Sequence, residues 1–191
     1  MEKKTTLCLI SALLLAAALP LGAQDDARIL SEIASAPARS VKIERRFLET
    51  RNFPGKSEVQ LEGELRYDTG TALSMIYDNG EKFIIDGDAM TIDRDGKHQI
   101  FDTSKNLMMK GLSHALLYSF KGTPDALASE QGCDLTTGTS GEEYLVTLTS
   151  RKKAARGYSR IEIHYGIAAG EIRSMRMDEV TGASTYYTFI K

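Results

Sequence analysis

The chain has 191 residues, a formal net charge of −2 and 42% hydrophobic residues, the make-up of an ordinary globular protein. The slightly acidic balance argues against nucleic acid as a partner. With two cysteines, Cys8 and Cys133, there is no disulfide framework to take the place of a core.

Residues 1–23 read as a secretory signal peptide. Lys3 and Lys4 make a basic start, Leu7 to Leu21 an apolar run, and Gly22-Ala23 a small-residue cut before Gln24. The run is too short and wrongly flanked for a membrane span. Cleavage removes Cys8 and leaves Cys133, expected as a semi-buried, unreactive thiol in a loop. Residues 24–191 are expected to form one exported domain, long enough to bury roughly 70% of its unfolded surface. No internal repeat or low-complexity tract divides it.

Asp25 and Asp26 open a short helix with Ile29, Leu30, Ile33 and Ala34 as its apolar stripe, and Pro37 ends it. Val41 to Thr50 follows as a strand with Val41, Ile43 and Phe47 on one face. Leu61 to Phe101 is then a meander of five short strands: Leu61 to Tyr67, Leu73 to Tyr77, Phe83 to Ile85, Met90 to Ile92 and Gln99 to Phe101. In the first of them Leu61, Gly63, Leu65 and Tyr67 alternate with Glu62, Glu64 and Arg66, the period of a strand with one wet face. Thr69-Gly70, Asn79-Gly80, Asp86-Gly87 and Asp95-Gly96 punctuate the meander. Asn-Gly and Asp-Gly suit hairpins because both central residues of a type I′ turn take positive φ.

After Asp102 the period changes. Met108, Leu112, Ala115 and Leu116 have helical spacing within Ser104 to Lys121, and Gly122 with Pro124 stops the run. Met108 and Met109 suit either a permanent core or an accommodating binding surface. Asp125 to Ser129 adds a helical turn, and Thr136 to Glu143 is expected as a polar loop. Strands at Tyr144 to Thr149, Ser159 to Tyr165, Glu171 to Glu179 and Ser184 to Ile190 follow. Their inward candidates are Val146, Leu148, Ile161, Ile163, Met175, Met177, Tyr187 and Phe189. The sum is a mainly β chain with α (α+β), a single domain of about ten strands.

No catalytic set converges. His98, His114 and His164 have no second His or Cys at ligand spacing, so no metal and no cofactor is expected. Asp93, Asp95, Gly96 and Asp102 fall on four places of a calcium loop, but Thr91 opens it and strands flank it; a hairpin turn accounts for them. The basic run Arg151, Lys152, Lys153 and Arg156 lacks interleaved aromatics, so it reads as a solvated loop or a contact with an anionic membrane surface or membrane partner.

This order of elements resembles the LolA family of periplasmic lipoprotein carriers over nearly the whole mature chain. The likeness is carried by Gly63-Glu64-Leu65-Arg66-Tyr67 and by Phe83-Ile84-Ile85-Asp86-Gly87-Asp88. Tyr144 to Thr149 before basic residues, Ile172 to Asp178, Thr181-Gly182 and Thr185 to Phe189 extend it. The resemblance implies an incomplete antiparallel β-barrel, a strongly curved sheet covered by short helices, whose cavity shields acyl chains on the way to the outer membrane. It implies a lipid cavity of Leu65, Tyr67, Met75, Tyr77, Ile85, Ile92, Met175 and Met177, and a lid helix bearing Leu107, Met108, Leu112 and Leu116. It also implies acylated lipoproteins or lipids as cargo, an inner-membrane release complex and an outer-membrane acceptor, with the carrier a monomer and not an enzyme. One departure is Thr69-Gly70, where family members place an arginine before a proline and use it to hold the lid. The alternative is an exported structural or protein-interaction module whose middle helix is buried for good.

Overall fold

The computed structural model describes residues 21–37, 42–68, 72–151 and 157–190, with 21–24 and 107 described by backbone alone. The elements in order are α1 (Leu21–Ser35), β1 (Ile43–Asn52), β2 (Val59–Tyr67), β3 (Ala72–Tyr77), β4 (Lys82–Asp86), β5 (Ala89–Arg94) and β6 (Lys97–Asp102). A 3-10 turn at Thr103–Lys105 leads to α2 (Leu107–Lys121) and α3 (Pro124–Gln131). The chain returns to the sheet with β7 (Cys133–Ser140), β8 (Glu143–Ser150), β9 (Tyr158–Gly166), β10 (Ile172–Glu179) and β11 (Ser184–Ile190). All eleven strands form one antiparallel sheet in the order β6-β5-β4-β3-β2-β1-β11-β10-β9-β8-β7, and the two end strands do not pair with each other.

The sheet is strongly curved, for a geometric reason. Laid flat, eleven strands would span about 48 Å, whereas α2, with 15 residues, is only about 22 Å long. Yet one face of the sheet is buried in a single cluster that joins β2 to β5, β8 to β11 and all three helices. Ile92 on β5 and Met177 on β10 stand six strands apart in that order and line one crevice. The sheet therefore curls around α2 as a half-open barrel.

The faces follow the period-two pattern. Leu65, Tyr67, Leu73, Met75, Tyr77, Ile85 and Met90 point inward and are buried, as are Val146, Leu148, Ile161, Ile163, Met175, Met177, Tyr187 and Phe189. Gly63 sits at the tightest point. In register it lies between Phe47 and Tyr77, whose rings meet edge to face at 5.1 Å. A Cβ there would come within 2.3 Å of the Ile76 carbonyl oxygen and 2.9 Å of the Phe47 ring. Only glycine lets those rings close over the backbone.

Four expectations are corrected. Residues 136–143 are not a polar loop: β7 runs Cys133–Ser140 and pairs with β8 along its length. The β-branched Thr136, Thr137 and Thr139 suit a strand, and an edge strand needs no apolar run to declare it. This makes eleven strands rather than ten and puts the buried Cys133 at the start of a strand rather than in a loop. Second, Asp26 does not cap α1: its carboxylate accepts from the Thr137 N–H at 2.8 Å and the Thr137 hydroxyl at 2.6 Å. That contact engages the β7 edge, a device that blunts pairing with foreign strands. Third, the α1 stripe narrows to Ile29 and Ile33, one turn apart, while Ala34 is exposed. Fourth, of the hairpin signals within the described residues only Asp95-Gly96 has both φ angles positive (53° and 70°). At Asn79-Gly80 the glycine alone is left-handed, and the Asn79 side chain accepts from the Glu81 N–H. Val41 and Thr69-Gly70 lie outside the described residues.

Candidate functional site

The inner surface of the half-barrel is occupied by α2. Asn106 starts this helix, its side-chain oxygen accepting from the Met108 and Met109 N–H groups at 3.2 Å each. Gly122, left-handed at φ 74°, ends it. The two halves of α2 sit differently. Ala115, Leu116 and Phe120 are fully buried, and Phe120 packs at 5.6 Å from the Tyr67 ring and 5.0 Å from the Phe189 ring. The Tyr165 hydroxyl donates to the Ser119 carbonyl at 3.0 Å, and the Ser119 hydroxyl lies 3.6 Å from Met175 Sδ. This is a polar latch between helix and sheet, placed where the departure at Thr69 gave no hint of one.

The first half of α2 is looser. Met108 is 40% exposed, and Met109 and Leu112 are half-buried. Gly111, a weak helix former, brings the backbone close to Tyr158, whose ring would be 3.7 Å from a Cβ. A salt bridge from Lys110 and a hydrogen bond with His114, each 2.8 Å from Glu130, tie this face to α3 rather than to the sheet. The two partners outweigh the effect of burial and hold the Glu130 carboxyl below its ordinary range.

Under this half lies an open crevice of about 230 Å³. Met108, Met109 and Leu112 form its roof; Tyr77, Ile92, Tyr158 and Met177 are among its walls. Of the expected cavity residues, Tyr77, Ile92 and Met177 therefore reach open space, while Leu65, Tyr67, Met75, Ile85 and Met175 are packed in the continuous core behind them. Of the expected lid residues, Met108 and Leu112 roof the crevice and Leu116 is in the core. The side chain of Leu107 is not among those described.

Among the residues lining the crevice is a polar cluster that the apolar reading of the strands passes over. Glu49 is 1% exposed and sits on the same face of β1 as Phe47. Its Oε1 accepts from Arg51 Nε at 2.6 Å and the Tyr187 hydroxyl at 3.1 Å. Its Oε2 accepts from Arg51 Nη2 at 2.9 Å and the Tyr77 hydroxyl at 2.6 Å. Burial and the Glu49 charge push both tyrosines well above their ordinary pKa, so both stay protonated donors. Burial opposes the Arg51 charge, but the bonds and charge of Glu49 outweigh it and keep the guanidinium ionised. A signal was present in the sequence: Glu49 and Arg51 continue the inward parity of Ile43 and Phe47 along β1.

Of the basic run, Arg151 is bound to Asp134 and to the Cys133 carbonyl, each at 2.8 Å, while residues 152, 153 and 156 lie outside the described residues. His98 pairs with Asp93 and His164 with Glu143. Among the described residues no group of three or more metal-ligating side chains forms.

The fold defines a half-open antiparallel barrel wrapped on a central helix. No protein-family profile and no curated protein matches the sequence. Solved structures do align along its length, all at low identity. A LolA superfamily protein from Nitrosomonas europaea aligns over 87% of this chain and 91% of its own, with 7% identity and a TM-score of 0.41. Lipoprotein LppX from Mycobacterium tuberculosis aligns over 86% and 94%, with 13% identity and a TM-score of 0.40. LprF from Mycobacterium bovis aligns over 87% and 91%, with 8% identity and a TM-score of 0.40. At such values nothing about cargo or partners passes from those proteins to this chain.

Proposed function

We propose that this protein is an exported carrier of acylated cargo, lipoproteins or similar lipids, bound in the half-barrel beneath the first half of α2. The observation that supports this most is the crevice. It opens under Met108, Met109 and Leu112, and its walls Tyr77 and Met177 belong to the apolar core. Each acyl CH₂ left in water costs about 0.8 kcal/mol, so a cargo with long chains needs such an apolar wall to cross an aqueous space. At about 230 Å³ the crevice is smaller than the roughly 300 Å³ of an ordinary ligand pocket, so cargo enters by lifting the roof. In this reading the half of α2 before Ala115 is the lid, and the Tyr165–Ser119 latch anchors its hinge.

No described helix is long and apolar enough to cross a membrane. Residues 1–23 act as a cleaved signal peptide in this proposal, which places the carrier in the periplasm. Transfer partners at the two membranes and contact through the 151–156 loop belong to the same proposal.

The interaction-module reading is supported by a different observation, the complete burial of Ala115, Leu116 and Phe120. One experiment separates the two. The mature protein, purified from a native periplasm, is weighed intact under non-denaturing conditions. A releasable adduct of lipid or acylated-protein mass is expected, and L112D should abolish it while the protein still melts cooperatively. A bare mass that persists after incubation with diacyl lipid would favour the module with a permanently buried helix. L116D is no substitute in this test, because it places a charge in the core.

A further inference from the structure

The polar groups lining the crevice have an uneven inventory of hydrogen-bonding capacity. Both Glu49 oxygens are filled, each by one Arg51 nitrogen and one tyrosine hydroxyl. The other two carboxylates at the crevice also have donors: Glu81 accepts from Arg94 Nε at 2.7 Å, and Glu179 from the Thr181 hydroxyl at 2.9 Å. On the donor side capacity is left over. Arg51 spends Nε and Nη2 on Glu49 and Tyr77, and Nη1 has no acceptor among the described residues. Lys82, also at the crevice, has no carboxylate partner among them. A guanidinium carries five N–H donors and an ammonium three, so the site asks for an acceptor.

Arg51 is also pre-positioned. Its side chain is 19% exposed, its fork is gripped by Glu49, and its guanidinium carbon lies 5.9 Å from the centre of the Tyr77 ring. A ligand meeting its remaining edge has no long side chain left to order, which is the usual cost of binding to arginine. Within the same crevice stand the apolar Ile92, Met109 and Leu112. Spare donors and apolar side chains lining one crevice suit a single amphiphile with an oxyanion head.

We propose that Arg51, held by Glu49 between Tyr77 and Tyr187, is a head-group subsite that takes the carboxylate or phosphate of an amphiphile whose chain lies under the first half of α2. This rests on the carrier reading and narrows it, since an acyl-chain cavity alone would not discriminate among heads.

The test is calorimetric titration of the mature protein at pH 8 with alkyl probes of one chain length, all below their micelle concentrations. The probes are dodecanoate, dodecyl phosphate, dodecanol and dodecyltrimethylammonium, with inorganic phosphate as the chainless control. At least one anionic probe is expected to bind about ten-fold or more tighter than dodecanol and the cation, the worth of one charge-assisted hydrogen bond. Which of the two wins distinguishes a fatty-acid from a phospholipid type of head. The double variant E49Q/R51M removes both charges together, so that neither is left buried without its partner. It should bind anionic and neutral probes alike while melting cooperatively. Equal affinity of the wild type for dodecanol and both anions would overturn the head-group subsite and leave the carrier reading standing. Inorganic phosphate binding as tightly as dodecyl phosphate would overturn it in favour of a plain anion site. If no alkyl probe binds at all, the carrier reading falls and takes this proposal with it.

Discussion

The two halves of α2 have similar compositions and opposite roles. Leu107 to Leu112 and Ala115 to Phe120 both carry large apolar side chains at helical spacing, yet the second half is core and the first is a roof. The difference lies in what faces each half. The second meets Tyr67, Tyr165, Met175 and Phe189 from strands on both sides of the curl, and a buried hydroxyl fixes it. The first packs Met109 and Leu112 only partly against the core and roofs a crevice that also holds charged side chains. A helix can thus be fully packed at one end and partly open at the other without any change in its own propensity.

The strongest way to break this comparison is truncation of one large side chain in each half. F120A removes a fully buried ring and should cost about 3–5 kcal/mol in denaturant unfolding. L112A should cost about 1–2 kcal/mol, because the side chain is only half-buried. Equal losses would mean that both halves are core. A sharper and smaller probe is Y165F, which deletes the latch hydroxyl without changing shape. It should cost about 1 kcal/mol and speed hydrogen exchange in the last two turns of α2. Exchange that accelerates only near Met108 would place the anchor elsewhere.

The smallest effect lies in the alkaline limb of stability. Tyr77, Tyr158 and Tyr187 all have pKa values raised, first by burial and then by the charge of Glu49 or, for Tyr158, of Glu179. A folded pKa above the unfolded value of 10 means stability that is complete below pH 10 and lost as pH rises beyond it. Spectroscopic titration should leave these three of the eight tyrosines silent until the protein unfolds. Ready ionisation of all eight in the native state would show the crevice to be solvated.

Much of the fold was legible in the sequence because its signals are local. Alternation assigned the inward faces of Leu65, Met75, Val146 and Met177, and a one-residue slip would have inverted each strand. Gly122 and Pro124 separate α2 from α3 through φ and hydrogen-bonding requirements that need no tertiary partner, whereas the expected start at Ser104 falls in the 3-10 turn and Asn106 caps the helix instead. Local rules failed where a distant segment supplies the reason for a structure. The strand at Cys133–Ser140 is an edge held by β8 and by Asp26, 111 residues away from Thr137.

The candidate site divides along the same line. Sequence alone determined that the middle helix is apolar, where it stops, and which face of each strand it meets, since periods of 3.6 and 2 are properties of the chain itself. Only the tertiary structure decided that the sheet curls far enough to bring β5 to β10, that half of α2 is core, and that Glu49 is a buried charge. Tyr77 and Tyr187 reach that carboxylate across separations of 28 and 138 residues. A charge buried at 1% exposure is tolerable only when such donors converge on it, and convergence is a property of the folded sheet.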